Sequence, residues 1–488
     1  MKVSRDYAAF LFPVVCAVVS LTAGTAVIPN LQPFRDPTGS IATYNTAGQI
    51  NKNNPFFQSL GTNGRTCETC HQADQAFSMS VKNIQQRFAL SGGSDPLFAP
   101  VDGANCPEDR QGDVASHSLL LNNGLIRIGL PLPEKPEFSL TVVHDPYGCA
   151  IYADPQTGRL MISVYRRPLP STNLGFLSAV MFDGRETVQP LNDEKTFAAN
   201  LAFDLGQQAT DAVLTHSQAA QPPTHEQVAE IVKLELGFYT AQISGDKAGL
   251  LNSGGADGGP KFLSSQNYYP GINDSLGGDP YGNRFNPDAM TLYQAWQGSA
   301  DFDRGYDPAR AMIAAGEKIF NTATVHITGV RGLNDNPALN YPPEIDGTCT
   351  TCHDTPNVGN HSFPLPLDIA TSHDVSSETD PRIAGALTQL SVPDLPVYLI
   401  TGCTDPQNPN RHLTFYTSDP GKGLISGKCA DVNRGKGPIL RGLAARAPYF
   451  HNGAAATLEQ LVNFYNNRFQ MELSDEQKQA LIAFLNSL

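Results

Sequence analysis

The chain has 488 residues and a formal charge of -14, with 33 Lys and Arg against 47 Asp and Glu; at ~100–200 residues per domain this length predicts two or three domains. Charged residues make up 16% of the chain and hydrophobic residues 40%, a balance that excludes a disordered chain, a coiled coil and a polytopic membrane protein. The absence of a basic run excludes nucleic acid as a partner, because phosphates bind clusters of Lys and Arg.

The first residues have the pattern of an export signal. Lys2 and Arg5 precede an apolar stretch over residues 7–21, and small residues follow up to Ala26. The stretch is shorter than a comfortable membrane span of ~20 residues and lacks a basic flank after it. We therefore expect a signal peptide over residues 1–26, no stable membrane span and a periplasmic mature protein, with an uncleaved anchor as the alternative.

Two pentapeptides carry the strongest chemical signal, and both read Cys-x-x-Cys-His. They are Cys67-Glu68-Thr69-Cys70-His71 and Cys349-Thr350-Thr351-Cys352-His353. In this c-type haem attachment motif the two thiols bond covalently to the vinyl groups of the haem, and the adjacent His supplies an axial nitrogen to the iron. A zinc site built from four thiolates or a redox dithiol would not need a His directly after the second cysteine. The sequence therefore predicts two covalently bound haem c groups.

Four further cysteines lie beyond the predicted signal and outside these motifs: Cys106, Cys149, Cys403 and Cys429. In an oxidising compartment such cysteines are expected to pair. Pairing of nearest neighbours gives Cys106 with Cys149 and Cys403 with Cys429, although four cysteines allow three connectivities.

A segment with a different character follows the first haem motif. Residues 138–143 and 160–165 are rich in β-branched and aromatic side chains, and a turn over residues 154–158 separates them. This pattern predicts a small β-hairpin over about residues 138–165, inserted into a mainly helical protein.

The two haem motifs lie too far apart for one small cytochrome fold, which implies two haem domains. Residues 252–286 are crowded with Gly, Asp, Asn, Ser and Pro, a composition typical of a long surface connection. Helical spacing resumes over residues 289–296 and again over residues 308–321.

We place the domain boundary near residue 300. The predicted N-terminal c-type haem domain, with its insertions, then covers residues 27–300, and the predicted C-terminal c-type haem domain covers residues 301–488. Thr457 and Ser474 each begin a capping box followed by an amphipathic helix. The predicted fold is mainly α, with two cytochrome c-like haem domains, long loops and the inserted hairpin.

Two more segments resemble those of a known superfamily. Residues 440–453 read Leu-Arg-Gly-Leu-Ala-Ala-Arg-Ala-Pro-Tyr-Phe-His-Asn-Gly, which looks like the C-terminal motif of the bacterial dihaem cytochrome c peroxidases and of the methylamine-dehydrogenase maturation (MauG-like) enzymes. Phe182-Asp183-Gly184-Arg185 resembles the Phe-Trp-Asp-Gly-Arg motif of their N-terminal haem domain. The resemblance implies that peroxide reacts at the N-terminal haem. It also implies that the C-terminal haem relays electrons from a small redox protein such as a cytochrome c or cupredoxin.

The chain departs from that superfamily in two places. Phe182 stands where the family has a Trp between the haems, and the only tryptophan, Trp296, is predicted to be a packed aromatic. The family next has Leu-x-x-Gln, which Gln208 fits, and ten residues later a Glu that handles the peroxide protons. Gln218 occupies that place and cannot take up a proton. His216 is the candidate replacement, because an imidazole ordinarily titrates near pH ~6.5; a His on a helix surface is the alternative.

Sixth ligands to the two irons are predicted less directly. For the C-terminal haem, the resemblance places Tyr465 where the superfamily has Met or, in the maturation enzymes, Tyr. Met471 is the competitor, and an ordinary core aromatic is the alternative for Tyr465. A Tyr ligand would favour ferric iron, whereas Met would raise the potential. For the N-terminal haem the candidates are Met79, His117 and His144, or an open position.

Two smaller expectations complete the site. His361 is predicted to line a haem edge or a loop. The resemblance also implies a Ca2+ ion between the domains, held by backbone carbonyls near Ala447 and Pro448.

Three functions are consistent with these residues. The leading hypothesis is an exported dihaem oxidoreductase that is peroxidase-like and activates H2O2 or O2 at one haem, with electrons relayed by the other. The missing Glu and Trp favour a dihaem electron-transfer cytochrome without its own substrate, whereas the length of the chain disfavours it. The third is a dihaem oxygenase or protein-modifying enzyme that uses the insertions at residues 72–170 and 250–290 as a substrate surface.

Overall fold

The computed structural model describes residues 27–154, 157–297 and 307–488. The predicted signal over residues 1–26 and the predicted boundary near residue 300 lie outside the described residues. Within the described ranges, no helix is both long and apolar enough to cross a bilayer.

The helices are mostly short and are separated by long loops. Those of the described residues are α1 (Val81–Ser91), α2 (Pro100–Gly103), α3 (Ser118–Asn123), α4 (Glu194–Thr215), α5 (His225–Gly237), α6 (Pro260–Leu263), α7 (Asp307–Thr322), α8 (Pro381–Leu387), α9 (Gly423–Ser426), α10 (Leu458–Arg468) and α11 (Asp475–Leu485). The longest, α4, has 22 residues and forms one side of the site described below.

The strands are short as well and belong to several separate sheets. They are β1 (Val27–Pro29), β2 (Phe34–Arg35), β3 (Gly39–Asn45), β4 (Gln49–Asn51), β5 (Ile126–Pro131), β6 (Ser139–His144), β7 (Ile151–Ala153), β8 (Leu160–Arg166), β9 (Phe238–Gly245), β10 (Gly249–Leu250), β11 (Val325–Ile327), β12 (Ile345–Gly347), β13 (Val397–Asp405) and β14 (Asn408–Thr417). Five sheets of two to four strands form within the described residues, in the orders β1-β4, β10-β9-β3-β2, β11-β12, β14-β13-β6 and β5-β8-β7.

The structure has 31% helix and 18% strand. Helix therefore exceeds strand, but the several sheets mean that the prediction of a mainly α fold is not confirmed. The main cause is the sheet content outside the predicted hairpin, because β3 and β9 pair over seven residue positions and β13 and β14 form a long hairpin.

The predicted hairpin over residues 138–165 is wrong in its pairing. Both strands exist, as β6 and β8, but they lie in different sheets. The turn near residue 157 joins β8 to the nearer strand β7, which pairs with it in antiparallel register, and β5 occupies the other edge of β8. β6 pairs instead with β13 from the C-terminal half of the chain.

The second predicted helical stretch is confirmed as α7, whereas the first, residues 289–296, contains only a short 3-10 turn at Gln294–Trp296. Side chains of α7 explain the difference. The Asn321 amide accepts from the Met290 N–H at 3.1 Å and donates to the Met290 carbonyl at 2.7 Å. The Glu317 carboxylate accepts from the Tyr293 N–H at 3.0 Å. The backbone groups of Met290 and Tyr293 are therefore hydrogen-bonded to side chains of α7, so they do not need the internal hydrogen bonds of a helix.

Both C-terminal helices are confirmed, and both begin at the predicted caps. The Thr457 hydroxyl accepts from the Gln460 N–H at 3.2 Å, and Ser474 and Gln477 form a reciprocal capping box. Helix α11 packs closely against α7 at Gly316, where an added Cβ would collide with the Ala480 carbonyl.

Both predicted disulfides are confirmed, Cys106–Cys149 and Cys403–Cys429. Trp296 is a packed aromatic, as predicted. It is 2% exposed, stacks on Tyr293 with ring centroids 4.9 Å apart, and belongs to the large core cluster that also packs against Cys349 and Cys352.

Candidate haem centres

The two Cys-x-x-Cys-His segments fold in the same way, each on a single 3-10 turn. These turns are Cys67–Thr69 and Cys349–Thr351. In the first turn the Thr69 hydroxyl accepts from the Thr66 N–H at 3.0 Å, and in the second the Thr351 hydroxyl accepts from the Thr348 N–H at 2.9 Å. The N–H of each motif histidine then donates to the carbonyl of the first cysteine, at 2.9 and 3.0 Å. One turn therefore holds the two thiols next to the histidine.

The motif histidines are both oriented for metal binding. Nδ1 of His71 lies 3.0 Å from the Phe77 carbonyl, and Nδ1 of His353 lies 2.8 Å from the Gly359 carbonyl. Because a carbonyl only accepts, Nδ1 carries the hydrogen and Nε2 keeps the lone pair that iron requires. Burial lowers the pKa of His71 to about 4 and also lowers the pKa of His353, so both rings are neutral.

The four motif cysteines form no disulfide. Burial raises the pKa of each thiol, to about 11 for Cys70 and about 12 for Cys349 and Cys352, so none is a thiolate at neutral pH. A four-thiolate zinc site would bring the cysteines together around one ion, and among the described residues the groups of side chains close enough to share a metal contain no cysteine. This arrangement disfavours the zinc alternative.

A cavity opens beside the first motif and joins distant parts of the chain. The volume of the cavity is about 180 Å³, and its outer part is open to solvent. Its walls include residues of the motif, of α4 and α5, and of the loop before the C-terminal motif: Cys67, Cys70, His71, Asp102, Phe182, Gln208, His216, Glu235, Lys436, Pro438, Ile439 and Arg441.

Buried cationic groups in this cavity fit a haem. Arg441 is 2% exposed, yet its Nε and Nη1 have no hydrogen-bond partner. Burial lowers the pKa of Lys436 to about 7; its ammonium group donates to the Ala179 carbonyl at 2.9 Å. Buried cationic donors require an anion, and the haem propionates are carboxylates. The residues present therefore suit a haem attached at Cys67 and Cys70, with Arg441 holding a propionate.

His216 lies in the wall of this cavity, just after the end of α4. Its Nδ1 hydrogen-bonds to the Asp102 carboxylate, which also forms a buried ion pair with Arg65. Burial alone would raise the pKa of Asp102, but Arg65 and His216 lower it to about 2. Asp102 is therefore ionised and fixes the imidazole, which is the arrangement of a general base and its orienting carboxylate. This environment differs from that of a histidine on an open helix surface.

The two predicted glutamines have different positions. Gln208, on α4, lines the cavity with His216. Gln218 lies beyond the end of α4, is exposed and accepts from the Asn63 side chain at 3.3 Å. The chain leaves the cavity wall after Ser217, so Gln218 lies outside it.

Glu235 is a cavity residue that the sequence analysis missed. It lies on α5, is 4% exposed, and its Oε2 has no hydrogen-bond partner. Burial raises the pKa of Glu235 to about 8, so this carboxyl is mostly protonated at neutral pH. The sequence pattern that could have pointed to Glu235 is its place directly after the apolar residues Ile231, Val232 and Leu234.

Phe182, at the position of the family Trp, connects the cavity to the C-terminal motif. Its ring stacks on the His451 ring with centroids 4.4 Å apart and an angle of 9°. The Arg166 guanidinium lies 5.3 Å from the Phe182 ring centroid and forms buried ion pairs with Asp183 and Asp419. These contacts hold the Asp-Gly-Arg segment against residues of the C-terminal half.

Around the second motif, both candidate sixth ligands lie in the core cluster that packs against Cys349 and Cys352. Met471 is 9% exposed, and Tyr465 is partly buried. Burial and the nearby Cys352 and Cys349 raise the pKa of Tyr465, which packs against the same core cluster as the two cysteines. The choice between Tyr465 and Met471 remains a prediction.

The three named candidates for the N-terminal haem do not line the cavity. Met79 is fully buried in a cluster that packs against Cys70. Both ring nitrogens of His117 are hydrogen-bonded to carbonyls, at 2.8 and 2.9 Å, and His144 is exposed beside Asp394 at 2.7 Å. This arrangement favours the open position.

Sequence comparison finds curated relatives over parts of the chain. Cytochrome-c peroxidase IdrP2 of Denitromonas iodatirespirans is 36% identical over 125 residues, covering 21% of this chain and 32% of the relative. Cytochrome c551 peroxidase of Nitrosomonas europaea is 36% identical over 77 residues, covering 15% and 23%. IdrP2 of a Pseudomonas species is 41% identical over 78 residues, covering 14% and 21%. The chain thus matches a third or less of the length of these relatives.

Over the matched parts of the chain, the resemblance to bacterial cytochrome c peroxidases is confirmed. No known family profile matches the chain. A solved structure of a MauG-like protein associated with microbial copper homeostasis aligns over 70% of this chain and 79% of its own, at 12% identity and a TM-score of 0.28. That score is too low to support an argument about the fold. The peroxidase relatives imply c-type haem, in agreement with the attachment motifs.

Proposed function

We propose that this protein is an exported dihaem c-type cytochrome with peroxidase-like activity. Peroxide or dioxygen would be activated at the haem attached through Cys67 and Cys70, and the haem attached through Cys349 and Cys352 would relay electrons from a small redox protein. The observation that carries this proposal is the cavity beside His71, whose wall holds His216 on an ionised Asp102. An electron relay requires no such proton-handling group next to its haem.

Haem, when bound, supplies the site at which peroxide is reduced, and the protein supplies the protons. Reduction of H2O2 to two waters consumes two electrons and two protons. His216 can take a proton from the incoming peroxide and return it, because Asp102 holds Nδ1 and leaves Nε2 for exchange. Glu235, protonated at neutral pH by burial, is a second proton source in the same cavity.

Electron supply would come from the C-terminal half. Phe182 replaces the indole of the superfamily, so an oxidisable Trp is missing at this position, and the packed Phe182–His451 pair is the contact between the cavity wall and the C-terminal motif. This supports a relay through closely packed groups rather than through a stable Trp radical.

The proposal is tested by replacing the histidine of the cavity. His216→Gln is expected to lower kcat/KM for peroxide about 10²- to 10⁴-fold, the usual range for loss of a general acid or base, while both haems stay attached. The measurement is peroxide-dependent oxidation of a reduced small c-type cytochrome. His412→Gln is the matched control, because His412 is exposed on β14 and its replacement is expected to leave the rate unchanged.

Other outcomes identify the alternatives. No reaction of the reduced wild-type protein with peroxide or dioxygen would select the electron-transfer cytochrome. Oxygen uptake with an organic or protein substrate, but not with reduced cytochrome c, would select the oxygenase or protein-modifying enzyme.

A further inference from the structure

A buried group of two carboxylates and an imidazole lies outside the cavity described above. Asp274 comes from the segment between α6 and α7, Asp354 directly follows the second haem motif, and His361 lies in the loop after it. The three residues are 4%, 0% and 2% exposed. One ligand atom from each lies within 4.8 Å of the others.

Each aspartate has one oxygen satisfied by backbone and one left without a partner. Oδ2 of Asp274 accepts from the N–H groups of Gly278 at 2.6 Å and Leu276 at 3.2 Å. Oδ1 of Asp354 accepts from the Ser362 N–H at 2.7 Å. Oδ1 of Asp274 and Oδ2 of Asp354 are buried with no hydrogen-bond partner within 3.5 Å.

The histidine adds a third acceptor to this space. Nδ1 of His361 lies 3.7 Å from Oδ2 of Asp354 and accepts from the Phe363 N–H at 3.3 Å. Because Nδ1 acts as an acceptor there, it has no hydrogen to offer the carboxylate. Two lone-pair atoms therefore lie close together in a buried site next to a second carboxyl group, and either a bound cation or a shared proton would satisfy them.

We propose that Asp274, Asp354 and His361 bind a divalent first-row transition ion, with Zn2+ as the representative. Two carboxylate oxygens and one imidazole nitrogen form a usual zinc donor set, and the ion would replace the long contact from Phe363. Ca2+ takes six to eight oxygen ligands, which an imidazole does not supply. The site is separate from the Ca2+ position implied near Ala447 and Pro448.

The ion would link the segment between α6 and α7, which carries Asp274, to the second haem motif and the loop after it, which carry Asp354 and His361. Several hydrogen bonds already join them; among these, the Asn273 side chain donates to the Asp354 carbonyl at 3.0 Å, and the Ser275 hydroxyl donates to the Thr351 carbonyl at 2.6 Å. A cation shared by Asp274 and Asp354 would add a further link next to His353. This inference does not depend on peroxide activity.

The test is metal analysis of the complete, haem-loaded protein after incubation with Zn2+ and dialysis. We expect about one non-haem zinc per chain in the wild type and less than a tenth of that in Asp274→Asn. The matched control is Asp346→Asn, which removes a carboxylate from the exposed group of His326, Glu344 and Asp346 and is expected to leave the bound zinc unchanged. His361→Gln serves as a second variant if Asp274→Asn does not fold.

Thermal unfolding with and without EDTA provides a readout independent of metal content. EDTA is expected to lower the Tm of the wild type and of Asp346→Asn, and to leave the Tm of Asp274→Asn unchanged. Absence of bound zinc from the wild type, or equal zinc in Asp274→Asn, would overturn the proposal. So would an EDTA-insensitive wild type, because the two carboxylates would then share a proton instead of a cation.

Discussion

Within one cavity, two carboxyl groups have opposite protonation states for physical reasons that are local to each. Asp102 is buried beside Arg65 and His216, which keep it ionised. Glu235 is buried without an ion-pair partner, and its pKa rises to about 8. A pair of carboxyl groups whose environments move their pKa values apart is typical of sites that both take up and release protons.

Glu235 makes stability depend on pH. Its ordinary pKa is 4.5 and its folded pKa is about 8, so between these values the unfolded chain is ionised while the folded protein keeps the proton. The free energy of unfolding therefore falls as pH rises from about 4.5 to 8, by up to ~1.4 kcal/mol per pH unit. Glu235→Gln is expected to remove this slope and to be more stable than the wild type at pH 8.

Denaturant unfolding of both proteins at pH 5 and pH 8 checks this expectation. Glu230→Gln is the matched control, because Glu230 is exposed on the same helix, and its pH dependence should follow the wild type. Equal slopes in the wild type and Glu235→Gln would show that Glu235 is ionised in the folded protein.

At the level of elements, the contact between α7 and α11 depends on one missing side chain. The backbone of α11 approaches Gly316 so closely that an added Cβ would meet the Ala480 carbonyl and the Phe484 side chain. Both helices belong to the core cluster that packs against Cys349 and Cys352. Their spacing therefore affects the support of the second Cys-x-x-Cys-His motif.

Gly316→Ala is expected to destabilise the protein by about 1–3 kcal/mol, because the two helices must move apart. Gly385→Ala is the control, since Gly385 lies in α8 with no atom within 4 Å of an added Cβ. There the gain in helix propensity is expected to stabilise by about 0.5–1 kcal/mol. Chemical denaturation measures both; a neutral Gly316→Ala would mean that the helices separate without cost.

The strands show which part of the fold a sequence can predict. Runs of β-branched and aromatic residues identified β6 and β8 correctly as strands, because this composition is a property of neighbouring residues. Pairing depends on what approaches from elsewhere. The edge of β6 is taken by β13, with Val397 opposite His144, and no local pattern over residues 138–165 indicates a partner more than 250 positions away.

At the scale of the molecule, two separate attachment turns predict two separable haems. Cys349→Ala/Cys352→Ala is expected to lose one haem per chain and to keep the haem held by Cys67 and Cys70. Intact mass and a pyridine haemochrome assay would measure the number. The disulfide double variant Cys106→Ala/Cys149→Ala is the control and should retain both haems. Fewer than two haems on the wild type would contradict the assignment of the motifs.

The candidate site was only partly predictable for the same reason as the sheets. Gln208 and His216 follow from their offsets along the sequence and from the family pattern. Asp102 reaches His216 from 114 positions away, and Arg441 comes from the opposite end of the chain. An Asp and an Arg are common residues, and nothing near them in the sequence marks these two. Only the fold shows that Asp102 is ionised and orients His216, and that Arg441 is buried with Nε and Nη1 lacking partners.

Lys436, Pro438, Ile439 and Arg441 line the cavity beside His71, and this limits how the protein can be divided. A fragment that ends before α7 would keep Cys67, Cys70 and His71 but would lose this part of the cavity wall. If a haem is attached there as proposed, a chimera that joins a foreign second half to this first half would need residues 436–441 to complete the pocket.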